Sequence, residues 1–133
     1  MRYGEFLKVW SISALFFTMV DAVWLGFLAK NFYKQQLGPL MRERPIWSAV
    51  ISFYTLYTLA IVILAALPAS RNSSWETALL NGAVLGLAAY GTYDLSNIAT
   101  LKSWPLAVTF VDMAWGTLLT TCTAYFAFYL LQT

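Results

Sequence analysis

Four stretches of the chain, about residues 7–29, 46–67, 75–101 and 106–131, stay apolar for longer than the roughly 20 residues that carry a helix across hydrocarbon. Lipid offers no partner for an unpaired backbone N–H or C=O, so each stretch has to be helical. The pattern predicts an all-α fold, a transmembrane bundle of four helices forming a single domain over all 133 residues. Composition points the same way. Hydrophobic residues make up 60% of the chain and charged ones 11%, against about 25% charged in a soluble domain, which excludes an ordinary cytosolic fold. The net charge is +2, with the basic residues in short hydrophilic stretches, which makes the lipid bilayer the expected partner and not nucleic acid. There is no histidine and one cysteine, Cys122. An intrachain disulfide, a thiolate zinc cluster and histidine-based general base chemistry are excluded, and neither a metal site nor a cofactor is expected.

Each connection carries helix breakers: Gly38, Pro39 and Pro45 in the first, Pro68 in the second, and Pro105 closing the short link from Lys102. Ser73-Ser74-Trp75-Glu76 reads as a capping box for the third helix, with Ser73 at the N-cap and Glu76 at N3. Tyr33, Leu37, Leu40 and Met41 fall at helical spacing, as in a helix lying on the membrane surface, although Gly38-Pro39 interrupts them. The first block has basic residues ahead of an apolar core, but it lacks a small-x-small cleavage site and contains an aspartate, so it reads as a retained helix. Lys30, Lys34, Arg42, Arg44 and Lys102 fall on one side of the bundle, and Arg2, Lys8 and Arg71 on the other. The positive-inside rule puts the first group in the cytoplasm and both termini outside it.

The chemistry lies in three aspartates within the apolar blocks, Asp21, Asp94 and Asp112. A charged aspartate near the bilayer centre costs roughly 2.5–3.5 kcal/mol on insertion scales. At ~1.5 Å per helical residue, Asp21 lies about 13 Å below Lys30, Asp94 about 12 Å below Lys102 and Asp112 about 10 Å below Pro105. With alternating helix directions these ends share one side of the membrane, so the three carboxyls are expected in one layer. Val20-Asp21-Ala22-Val23-Trp24 is echoed by Val111-Asp112-Met113-Ala114-Trp115, which puts Trp24 and Trp115 on the same faces as their aspartates. Gly86, Tyr90, Asp94 and Asn97 run along one face of the third helix, and Ser52, Tyr54, Thr55 and Thr58 reach similar depth on the second. The candidate ligand-binding set is therefore Asp21, Asp94, Asp112, Trp24, Trp115, Tyr90, Asn97 and Tyr54. The competing account makes the aspartates interhelical glue held by these donors. Gly82 and Gly86 form a GxxxG close-packing face. Trp47, Trp75, Trp104, Tyr125 and Tyr129 fit interface anchors, and Cys122 fits a small packing residue.

Asp21-Ala22-Val23-Trp24-Leu25-Gly26, Gln36-Leu37-Gly38-Pro39-Leu40, Asn81-Gly82-Ala83, Tyr90-Gly91-Thr92-Tyr93-Asp94-Leu95 and Val111-Asp112-Met113-Ala114-Trp115-Gly116 together resemble an uncharacterised family of small bacterial four-helix membrane proteins, a domain-of-unknown-function family. The resemblance implies a multi-pass protein of the bacterial inner membrane and carries no activity. On the residues alone, the leading reading is a module that binds or transports a cation, a proton or a small polar or lipid ligand. The alternatives are an integral-membrane lipid-modifying enzyme, with the aspartates as acid/base groups or as ligands to a Mg2+ that bridges a phosphate, and a structural subunit of a membrane complex. Self-association into a homo-oligomer stays open.

The charge bias has a direct test. In a Cys122→Ser background, a cysteine introduced as Gln36→Cys is expected to be shielded from an impermeant thiol reagent in intact cells, and one introduced as Ser73→Cys to be labelled. The opposite pattern reverses the orientation.

Overall fold

The computed structural model describes residues 2–133, and among them the secondary structure is helical, with no strand. Four long helices form the bundle: α1 (Tyr3–Leu28), α3 (Trp47–Arg71), α4 (Trp75–Thr100) and α5 (Leu106–Gln132). A shorter α2 (Lys30–Leu37) lies between the first two and ends in a 3₁₀ turn at Gly38–Leu40. α1, α3 and α5 are each long and apolar enough to cross a membrane; α4, at 26 residues, matches them in length but not in apolarity. α1 begins ahead of residue 7, and α3 runs on past residue 67, where the sequence placed its end.

The contacts give an up-down-up-down order. Trp10 and Phe17 of α1 meet Thr58 and Tyr54 of α3, while Phe16 and Trp24 meet Phe126 and Trp115 of α5, so α1 is antiparallel to both. α4 closes the ring between α3 and α5, with Tyr90 against Tyr57. The centre is filled by Phe17, Tyr57, Ile61, Ala65, Leu119 and Ala124. Leu15, Leu56, Leu80, Phe110 and Leu118 point outward, as lipid-facing side chains do.

The closest approach is between α4 and α5, and glycine sets it. A Cβ on Gly82 would lie 2.9 Å from Ala124 Cβ and 3.0 Å from Thr121 Cα; one on Gly86 would lie 2.9 Å from Thr117 Cα. Gly91 continues the series against Met113. Without a hydrophobic force between helices in lipid, such backbone contact supplies the association energy.

Pro68 does not end α3, contrary to the sequence reading. The preceding turns open into a π-helical segment, Val62–Ala66, and the helix continues to Arg71. Proline has no N–H to offer the carbonyl four residues back. That carbonyl, Leu64 O, instead accepts from Asn81 Nδ2 of α4 at 3.1 Å. The expected capping box is also shifted by one residue. Ser73 has φ 49° and serves as the left-handed residue that ends α3: its N–H bonds Ser70 O at 3.2 Å and the Ser74 N–H bonds Ala69 O at 3.0 Å, a Schellman closure. Ser74 is then the N-cap of α4, with its hydroxyl accepting from Thr77 N–H.

A Gly86→Leu substitution should lower thermal stability by about 1–3 kcal/mol or more, through overpacking against α5. Gly26→Ala, whose Cβ would meet nothing within 4 Å, should leave the melting temperature in detergent nearly unchanged. Equal stability of the two variants would contradict this packing.

Candidate functional site

α1, α3 and α5 converge on Asp21, which is 6% exposed. The Tyr54 hydroxyl of α3 donates to one of its oxygens, and Trp115 Nε1 of α5 donates to the other at 3.0 Å. The Trp115 indole stacks on Trp24, with ring centroids 4.3 Å apart and planes within 7°. Trp24 Nε1 donates to the Tyr33 hydroxyl at 3.3 Å, and Tyr33 donates in turn to Asp112 Oδ1 at 3.1 Å. Each Asp-x-x-Trp motif thus supplies the indole that serves the opposite helix, directly at Asp21 and through Tyr33 at Asp112.

Asp94 of α4 is fully buried, and neither of its oxygens has a hydrogen-bond partner among the described residues. The register fixed by Gly82, Gly86 and Gly91 carries it opposite Asp112 of α5. The three carboxyls do not converge on one point: among the described residues no three acidic, histidine or cysteine side chains are grouped to hold a metal ion. They form instead a facing pair, Asp94 and Asp112, joined to Asp21 through the stacked indoles.

Asp21 and Asp112 share a cavity of about 350 Å3. Its walls are the aromatic side chains Phe53, Tyr54, Tyr57, Tyr90, Tyr93 and Trp115, completed by Leu25 and Ala89, with no basic residue. Gly116 makes this arrangement possible. A Cβ there would lie 2.1 Å from Tyr90 Cγ, so the Tyr90 ring rests on bare α5 backbone. Tyr57 is fixed by a 2.7 Å hydrogen bond with Thr120.

Of the eight candidate residues, Asp21, Asp112, Tyr54, Tyr90 and Trp115 line the cavity, Trp24 stacks on Trp115, and Asp94 is buried outside the lining. Asn97 is not in the lining; its backbone carbonyl accepts from Leu101 N–H at the end of α4. Of the second-helix polar residues only Tyr54 takes part. Thr58 bonds back to Tyr54 O, and Ser52 and Thr55 face outward. Cys122 is exposed on α5 and is not an interior packing residue.

Tyr33, Tyr57 and Tyr93 were missed by sequence reasoning. Tyr57 and Tyr93 stand three residues after Tyr54 and Tyr90, on the same helix faces, and that spacing was the available signal. Tyr33 sits on the apolar face of α2, which turns inward to cover the α1–α5 seam, packing against Ala29 and Val108. Leu40 and Met41 remain exposed. Burial pushes the Tyr33 phenol above its ordinary range; the bond from Trp24 opposes this and the nearby Asp112 carboxylate adds to it. Tyr33 therefore stays a proton donor at neutral pH.

Fold and site define a small helical membrane protein with a buried carboxylate–aromatic centre. The chain belongs to the family described as Predicted membrane protein (DUF2177), whose model matches residues 6–129. No curated protein and no solved structure matches it.

Tyr33→Phe removes the donor to Asp112 and the acceptor for Trp24 together. A loss of about 1–3 kcal/mol is expected for leaving such groups unpaired. Amide hydrogen exchange should rise in residues 30–37 while the centre of α3 stays protected. Unchanged exchange in α2 would show that this bond does not hold it down.

Proposed function

We propose that the protein is an intramembrane binding module for a small cationic or hydrogen-bond-donating solute, received between Asp21 and Asp112. The observation that carries this reading is the cavity: two carboxyls on aromatic walls with no basic side chain. Ring faces and carboxylates both attract positive charge, and an ammonium group over Tyr or Trp gains further once desolvated. The same lining is unsuited to phosphate, which calls for Arg, Lys or a helix N-terminus. A volume of about 350 Å3 lies in the range of small-molecule sites and admits a small organic cation. The absence of a phosphate-binding group from the lining weighs against the lipid-modifying enzyme. Interhelical glue alone needs no cavity between the acids, which weighs against a purely structural subunit.

In this reading the protein crosses the bacterial inner membrane four times as one domain. α2 and the Lys102–Pro105 link face the cytoplasm, and the termini face the periplasm. The charge bias of the loops supports that orientation. α2 and the Asp112 end of the cavity then lie on the cytoplasmic side, from which the solute enters.

Equilibrium binding of tetramethylammonium and short alkylammonium ions to protein in lipid nanodiscs tests the proposal. Saturable binding is expected, weakened at least tenfold, about 1.4 kcal/mol, by Asp112→Asn, which is nearly isosteric but cannot ionise. A Thr92→Ser variant, altered on the outer face of α4 where Thr92 bonds its own helix, should bind like the parent. No binding, or equal binding by Asp112→Asn, would defeat the reading.

A further inference from the structure

Asp94 is the one buried acid in this centre that the binding reading leaves unused. It is fully buried, and both oxygens lack a partner among the described residues. The glycine register of α4 and α5, in which Gly82 meets Ala124 and Gly86 meets Thr120, brings it opposite Asp112, another carboxyl. Two ionised carboxylates can only accept and repel. A single proton between them turns one into a donor, gives the orphaned Asp94 its partner and removes the repulsion. The titratable groups facing the pair are Tyr33 from α2, Tyr90 and Tyr93 from α4, and Asp21 across the indole stack. No basic side chain hydrogen-bonds to either carboxyl among the described residues.

Asp112 belongs to both arrangements. One side of it meets Asp94, and the other lines the cavity. A positive solute at the cavity wall favours the ionised form of Asp112 and does for the pair what the proton does. We infer that Asp94 and Asp112 hold one proton between them and that a cation entering the cavity displaces it, so that the site exchanges a cation for a proton. This rests on the cation-binding reading above and adds the coupling. In the exchange one carboxyl O–H bond breaks, its electron pair stays on the carboxylate, and the proton passes to water. The charge of pair plus occupant is unchanged, because one positive charge leaves as another enters. Tyr33, donating to Asp112 from the surface helix, covers the pair on the side towards the loops.

The test has two readouts on the same nanodisc-embedded protein. Infrared spectroscopy at neutral pH should show a protonated-carboxyl stretch in the wild type. Asp94→Asn and Asp112→Asn should each lose it, and Asp21→Asn should retain it. The wild-type spectrum decides this part even if a variant fails to insert: absence of a protonated carboxyl overturns the inference. Adding tetramethylammonium should then reduce the band and release about one proton per cation into weakly buffered medium. Affinity should rise with pH by up to about tenfold per unit where the pair titrates, and Asp94→Asn should bind with a flattened pH profile. Cation binding with the band unchanged and no proton released overturns the exchange and leaves the binding reading standing. No cation binding at any pH removes both.

Discussion

A carboxylate held below a membrane surface must find its hydrogen-bond donors in the protein, and the donors available to this chain are nearly all aromatic. Threonine is plentiful in α5, but the hydroxyls of Thr117, Thr121 and Thr123 are turned back onto the carbonyls of Met113, Thr117 and Leu119 four residues earlier. A short side chain on a helix readily satisfies itself in this way, and where Thr120 and Thr58 are bonded across helices it is a long ring, Tyr57 or Trp10, that meets them. Tyr and Trp carry their donor at the end of a long rigid ring, so they span the gap. Asp21 consequently draws on Tyr54 of α3 and Trp115 of α5, and one acid ties three helices together. The need for long donors also explains why the space around the acids has aromatic walls.

The glycines determine where that space opens. α4 and α5 touch backbone to backbone along Gly82 and Gly86, whereas Phe17, Tyr54 and Tyr57 fill the neighbouring seam with rings. One seam is tight and the other wide, and the cavity forms at the layer where Tyr90 folds over Gly116. Asn81 adds a fixed point between α3 and α4 by donating to Leu64 O, four residues before Pro68. Packing and polar satisfaction are therefore not separate layers of this structure. The residues that bring helices close also decide which acids are hydrogen-bonded and which are not.

Much of this was legible in the chain. Long apolar blocks specify helices because hydrocarbon allows nothing else, and three aspartates inside those blocks had to face inward. The GxxxG spacing at Gly82 and Gly86 identified a close-packed face without its partner. Three features were not legible. The continuation of α3 past Pro68 goes with a π-helical segment and a bond from Asn81, a donor on another helix that no local pattern near Pro68 announces. The cap moved from Ser73 to Ser74 because the end of α3 required a left-handed residue in a connection too short to keep the two jobs apart. Tyr33 looked like one more apolar position on a surface helix. Only the tertiary arrangement of α2 over the α1–α5 seam makes it the link between Trp24 and Asp112.

The repeated Asp-x-x-Trp motif places its two tryptophans against each other: the stacked Trp24 and Trp115 rings join α1 to α5, the first long helix to the last. The two aspartates are nonetheless served differently. Asp21 receives both of its donors, Tyr54 and Trp115. Around Asp112, Tyr33 is interposed before Trp24, and across the α4–α5 contact the facing residue is an acid, Asp94. Asp21 is complete as it stands, whereas neither oxygen of Asp94 is hydrogen-bonded among the described residues.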